Sequence, residues 1–200
     1  MSESRQELWL IRQGETEWSA AKRHTGRTDV PLTPRGERQA TALGRVLADR
    51  EFTSVLCSPL RRARQTCELA GYGAVATVAD GLLEWDYGIY EGRTTEDMRQ
   101  EEPGWSIWST SVPKGESLEQ VAQRAHGVIA QALLAKGDVL LFAHAHILRI
   151  LTACWLGLPP PAGRLFVLRT ASISVLGYER ETRVITQWNV SHEMKDGSSF

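Results

Sequence analysis

The stretch "DVLLFAH" (138–144) constrains this chain more than any other. Five apolar residues in a row leave no face for water, and the run stops at a histidine. Such a segment reads as a strand buried on both sides, which requires helices packed above and below it. "ELWLI" (Glu7–Ile11) is a second apolar run, leading into a glycine turn, and "TSVLCS" (Thr53–Ser58) a third, ended by Pro59. "AVATVA" (74–79) is a weaker strand. Helical signals separate these runs. In "LTPRGERQATALGRVLAD", Thr33 is a fit N-cap and Pro34 a fit first helical residue, and Ala40, Leu43, Val46 and Leu47 follow at helical spacing. Arg61–Ala70 reads as a helix closed by Gly71.

Residues 82–92, "LLEWDYGIYEG", read as a loop with extended pieces, and Gly92–Gly115 as a short helix and a loop. The clearest helix follows. Ser117 and Gln120 form a capping-box pair, and Leu118, Val121, Ala122, Ala125, Val128, Ile129, Ala132 and Leu133 make one apolar stripe up to Gly137. "ILRILTACWLGL" is a helix stopped by "PPP". Strand-like runs lie around Leu165–Arg169, Ile173–Tyr178 and Val184–Val190, and the polar tail from Ser191 reads as loose. Strands alternating with helices predict an α/β protein, three-layer αβα, with a mostly parallel sheet. No linker, repeat or low-complexity tract interrupts it, so residues 1–200 are expected to form a single domain.

Charge and cysteine content narrow the function. A formal net charge of -1 provides no field for nucleic acid or an anionic membrane. Cys57, Cys67 and Cys154 are far apart with no CxxC pair, which favours a reducing compartment over a disulfide scaffold or a zinc site. The first residues lack a signal-peptide core, and no segment approaches the ~20 apolar residues of a membrane span. The expectation is a cytoplasmic protein.

Ligands of open α/β sheets sit beyond the carboxyl ends of strands. Here the strand ends carry Arg12-Gln13-Gly14, then Ser58-Pro59 ahead of Arg61, Arg62 and Arg64, then His144-Ala145-His146. Guanidinium groups match phosphate oxygens in a bidentate fork, and helix starts after Pro59 and Ala145 add free N–H groups. Glu84 lies beside aromatic residues, where desolvation suits a carboxyl to general acid work. His144-x-His146 lacks a placed third ligand, so no metal is expected, and no cofactor. Taken singly, each arginine reads as a solvated helix surface and His144 as a core histidine. Together they imply a small phosphorylated ligand.

These stretches, in order, resemble the histidine phosphatase superfamily in its phosphoglycerate mutase-like branch. The matching segments are Arg12-Gln13-Gly14-Glu15-Thr16, Gly26, "DVPLT", Gly36, "SPLRRARQT", "LLEWDYGIYEG", "GES" at 115–117 and "FAHAHILR". "RQGETEWS", "WDYGIYEG", "WSIW" and "FAHAHILR" look most like sedoheptulose-1,7-bisphosphatase-type sugar phosphatases. The resemblance implies that a histidine takes the phosphoryl group and that water then hydrolyses the phosphohistidine. It implies that Arg12, Arg62 and His144 hold the phosphoryl oxygens and that Glu84 is the acid/base. Ser19, Thr25, Gly26 and Tyr87 fall at pocket positions, with His146 just past the second histidine. Trp85, Tyr87, Trp105 and Trp108 are candidate apolar walls for a sugar, with ordinary packing at least as good a reading of Trp105 and Trp108.

Two positions depart from the family pattern. Gln13 stands where the nucleophilic histidine belongs, and Ala145 where a glycine follows the second histidine. An amide cannot form a phosphoenzyme. Ala145 adds a methyl at a close backbone approach and disfavours an unusual backbone angle. The expectation is therefore a phosphatase-lineage chain that is inactive or an active-site variant, whether Gln13 is an introduced or a natural substitution. The alternatives are a natural phosphosugar-binding or regulatory protein, a phosphoglycerate mutase, or an enzyme in which His24 or His146 replaces the nucleophile. The short segment Gly92–Gly115 favours a phosphatase over a mutase. Arg23, Arg27, Arg93 and Lys114 are unplaced cations that bear on bisphosphate preference, and a homodimer stays open.

Overall fold

The computed structural model describes residues 5–191. Its strands are β1 (Leu8–Arg12), β2 (Ser54–Cys57), β3 (Thr77–Val78), β4 (Val139–Ala143), β5 (Ser172–Glu179) and β6 (Thr182–Ser191). Its helices are α1 (Glu17–Ala20), α2 (Pro34–Leu47), α3 (Arg61–Leu69), α4 (Thr95–Glu101), α5 (Leu118–Leu133) and α6 (Ala145–Trp155). The strands form one sheet in the order β3-β2-β4-β1-β5-β6. The first four in that order are parallel, and β5 and β6 add an antiparallel edge.

The central strands are buried on both faces, as the unbroken apolar run requires. All of β4 is 0% exposed. Alternate residues serve opposite layers. Leu8, Leu10, Val139 and Leu141 pack with α5 and α6, whereas Trp9, Ile11, Leu140 and Phe142 pack with α2 and α3. The result is a three-layer αβα sandwich. The helix starts follow their caps. Gly36 N–H donates to Thr33 Oγ1 at 3.1 Å with Pro34 opening α2. Ser117 and Gln120 exchange both capping-box bonds at the head of α5. Leu133 ends the apolar stripe at 36% exposed rather than buried.

One close backbone approach fixes the turn after β1. A Cβ on Gly14 would fall 2.5 Å from the Gly36 carbonyl oxygen, and one on Gly36 would fall 2.1 Å from the Glu15 oxygen. Glycine at both positions lets this turn sit directly on the start of α2.

Two expectations are corrected. "AVATVA" shrinks to the two exposed residues of β3. Residues Leu165–Arg169 are not a strand: Pro159–Pro161 lead into a 3-10 segment, Pro160–Leu165, and the chain beyond it offers its carbonyls to side chains. Residues 82–92 form the expected loop, in which Leu83 and Glu91 have extended ψ angles of 144° and 131°, with 3-10 pieces at Asp80–Leu82 and Gly88–Tyr90. The tail after Ser191 lies outside the described residues, although Ser191 itself closes β6. No helix among the described residues is long and apolar enough to cross a membrane.

Candidate active site

Because β1, β2 and β4 are parallel, their carboxyl ends open on one edge of the sheet. The register sets Arg12 against Ala143, so the next residues, Gln13 and His144, lie side by side. Gln13 N–H donates to Ala143 O and Ser58 N–H to Phe142 O, each at 2.9 Å. Above them is a cavity of about 470 Å³. Arg12, Gln13, Ser19, Thr25, Arg62, Glu84, Tyr87, His144, Ala145 and His146 all line it. Gly26 does not. It lies behind the wall, where its carbonyl accepts from Arg62 and its N–H donates to Glu91.

His144 is 1% exposed and sits at the centre of a polar network. Arg62 Nε donates to His144 Nδ1 at 3.2 Å, and His144 Nε2 lies 2.7 Å from Ser58 Oγ. A guanidinium Nε always carries its hydrogen, so Nδ1 accepts and the imidazole proton resides on Nε2. Burial, then the charges of Arg62 and Arg12, push the His144 pKa well below the ordinary histidine range, so the ring is neutral. Gln13 is 5% exposed, and its Oε1 lies 3.1 Å from that same Nδ1. Two acceptors face each other in that arrangement. Rotating the amide puts its NH2 on Nδ1 instead. In that orientation the side chain donates to His144, and it has no nucleophilic atom.

The two arginines are held differently. Arg62, 1% exposed, spends Nη1 on Thr28 O and Nη2 on the carbonyls of Thr25 and Gly26, so it carries the 25–28 loop on its guanidinium. Arg12 Nη1 donates to Leu168 O, while its Nε is buried without a partner. Burial brings its pKa down to about 10, so it stays charged at neutral pH. An under-partnered guanidinium beside a cavity is suited to an anion.

Glu84, 3% exposed, accepts from Trp85 N at 3.0 Å, His146 N at 3.0 Å and Ile147 N at 2.9 Å. Two of those donors belong to the first turn of α6, whose N-cap His144 provides no side-chain cap. Glu84 therefore caps α6 from another part of the chain as well as facing the cavity. Ala145 opens α6 in ordinary helical geometry and is not among the positive-φ residues, so the expected backbone conflict does not arise.

Tyr87 OH lies 2.6 Å from His146 Nδ1. Burial and Glu84 push the phenol's pKa up, and burial pushes the imidazole's down, so a neutral phenol donates to a neutral ring. His146 then carries its proton on Nε2 and has no lone pair there for attack. His24 also lines the cavity, with Nδ1 2.9 Å from Arg93 O. A carbonyl only accepts, so His24 keeps its proton on Nδ1 and leaves Nε2 bare. Trp105 and Trp108 line the cavity, while Trp85 is packed behind it against Trp108.

Other residues at the site carried no signal in the sequence. Ser58 was noted only as a strand end. Lys22, Arg99 and Arg149 line the cavity, Arg149 lying 4.6 Å over the Trp108 ring. Of the unplaced cations, only Arg23 reaches the cavity. Arg27 pairs with Glu116 and Arg93 with Glu101, while Lys114 lines a separate recess. Among the described residues no group of three or more His, Cys, Asp or Glu could hold a metal ion.

Fold and site together define an α/β protein with a cationic cavity at the carboxyl edge of its sheet, suited to a phosphate ester. The chain belongs to the histidine phosphatase superfamily (branch 1), whose sequence profile matches residues 8–191. An acid phosphatase of Mycobacterium tuberculosis is 44% identical over 180 residues, covering 88% of each chain. A probable phosphoglycerate mutase GpmB of Klebsiella pneumoniae is 34% identical over 194 residues, covering 92% of this chain and 90% of the other. The solved structure of the M. tuberculosis open reading frame Rv3214 product superposes with a TM-score of 0.89 at 41% identity, over 94% of this chain and 99% of that one. A mycobacterial glucosyl-3-phosphoglycerate phosphatase structure with VO3 gives 0.83 at 28% identity, over 93% and 100%. The relatives thus include both phosphatases and mutases.

Proposed function

We propose that this chain binds a small phosphomonoester in the manner of a sugar-phosphate phosphatase and, with Gln13 in place of a nucleophile, does not turn it over. The observation that carries the reading is the placement of Gln13. It contacts His144 at 3.1 Å, inside a cavity that still holds Arg12, Arg62 and Glu84. In this reading Arg12 and the remaining N–H of Arg62 take phosphoryl oxygens. Glu84 stands where a leaving alcohol needs a proton. A phosphatase fits better than a mutase because only the short segment 92–115 separates the Glu84 loop from the helix beginning at Leu118.

The organic part of the ligand rests against Trp105 and Trp108, which suits the carbon skeleton of a sugar phosphate. Among the described residues Glu84 is the lone carboxylate in the cavity lining, against Arg12, Lys22, Arg23, Arg62, Arg99 and Arg149. That excess favours ligands with a second anionic group, such as a bisphosphate or a phosphorylated acid. Three free, buried cysteines support a reducing compartment.

Calorimetry on the unaltered chain tests this. Inorganic phosphate, glycerol 3-phosphate, 3-phosphoglycerate and fructose 1,6-bisphosphate are titrated in turn. The expected result is binding of all four, with the doubly anionic pair about tenfold tighter. Absence of binding by every phosphate compound would overturn the reading.

A further inference from the structure

Ser58 is 0% exposed at the carboxyl end of β2. Its N–H is tied to Phe142 O of β4, the strand that carries His144 two residues on. Its Oγ lies 2.7 Å from His144 Nε2 and also accepts, at 3.4 Å, from Leu60 N–H. The opposite ring nitrogen faces Arg62 Nε and the Gln13 side chain. We propose that Ser58 is a positioning residue of the anion site: by accepting the Nε2–H that the Arg62 contact dictates, it anchors the His144 ring in the orientation whose bare Nδ1 meets Arg62.

A neutral imidazole has one N–H and one lone pair. If the proton moved to Nδ1, two N–H groups would meet at 3.2 Å, and Arg62 would be pushed off the ring. Arg62 also holds the carbonyls of Thr25, Gly26 and Thr28, so its displacement would release a loop that contributes Thr25 to the cavity. Ser58 thus acts through His144 and Arg62, without touching the ligand. The inference uses the phosphate-site reading only to say what the positioning is for.

The test separates the two. Long-range ¹H–¹⁵N correlation spectra of the unaltered chain report which His144 nitrogen is protonated. Protonated Nε2 with bare Nδ1 is expected, and a protonated Nδ1 overturns the proposal without any variant. Ser58→Ala leaves the Nε2–H without its partner and should shift the His144 ring signals and give about tenfold weaker binding of inorganic phosphate. Ser58→Thr should restore both. Ser58→Cys, close in size and a weaker acceptor, should fall between and covers the case in which the alanine variant does not fold. Thr152→Ala controls for a lost buried hydroxyl, since Thr152 Oγ1 bonds only Leu148 O within α6. It should leave the His144 signals unmoved. A Ser58→Ala chain whose His144 ring signals do not shift overturns the proposal whatever happens to phosphate. If the unaltered chain has the expected tautomer but ignores phosphate, the site reading fails and the Ser58 assignment stands on the spectra.

Discussion

Glu84→Gln should cost stability as well as any chemistry. The carboxylate accepts three backbone N–H groups at 2.9–3.0 Å in a buried setting. Oε1 serves Trp85 and Ile147, and Oε2 serves His146, so both oxygens are in use. Glutamine offers one oxygen, and its NH2 must face at least one of those donors. A lost charge-assisted bond that leaves a buried N–H unpaired costs about 2 kcal/mol. Removing the negative charge from the N-terminus of α6 adds about 0.5 kcal/mol. The sum, about 2.5 kcal/mol, corresponds to a melting temperature lower by roughly 5–10 °C for a chain of this size. Thermal unfolding followed by circular dichroism measures it, with guanidinium titration to show that the m-value is unchanged. A variant that melts within about 1 °C of the parent, like an ordinary surface change, would refute the capping role.

Acid should destabilise the fold. Burial is the leading cause that lowers the pKa of His24, His144 and His146, so these rings stay neutral in the folded state while the unfolded chain takes up protons. Their contribution is complete above about pH 6.5 and is lost as pH falls toward the lowered folded values, which urea midpoints at about pH 7 and 5.5 will show. His146→Gln should reduce that slope. Gly36→Ala puts a Cβ 2.1 Å from Glu15 O and should cost about 3 kcal/mol or more, so an unchanged melting temperature would contradict the close approach. Ala145→Gly should cost less than about 1 kcal/mol and leave phosphate affinity within about twofold, because Ala145 already sits in ordinary helical backbone.

What the sequence disclosed follows from the range of each interaction. The run 139–143 announced a doubly covered strand because its constraint is local: five residues with no polar face. Thr33 and Ser117 marked helix starts because a cap acts over three residues. Gln13, Arg62 and His144 stand out as strand-end residues and Glu84 as a carboxyl beside aromatic residues, the family resemblance assigns their roles, and the parallel register brings them to one cavity. The run 165–169 misled because apolar residues near prolines can wall a cavity instead of joining a sheet. Ser58, Arg149 and the capping by Glu84 were not legible, since each depends on partners far along the chain. Ser58 meets His144 across 86 residues and Glu84 meets Ile147 across 63. Tautomers likewise follow from who faces whom, which no spacing encodes.

The central claim is that this site lacks only its nucleophile. Gln13→His and the unaltered chain are each incubated with a ³²P-labelled aryl or sugar phosphate, quenched in alkali and assayed for protein-bound label and released phosphate. The expected result is an acid-labile phosphohistidine at position 13 with phosphate release in the histidine variant, and neither in the unaltered chain. Label on the unaltered chain would contradict the claim and direct attention to His24, whose Nε2 is bare. A histidine variant that binds phosphate yet neither takes label nor releases product would contradict it as well.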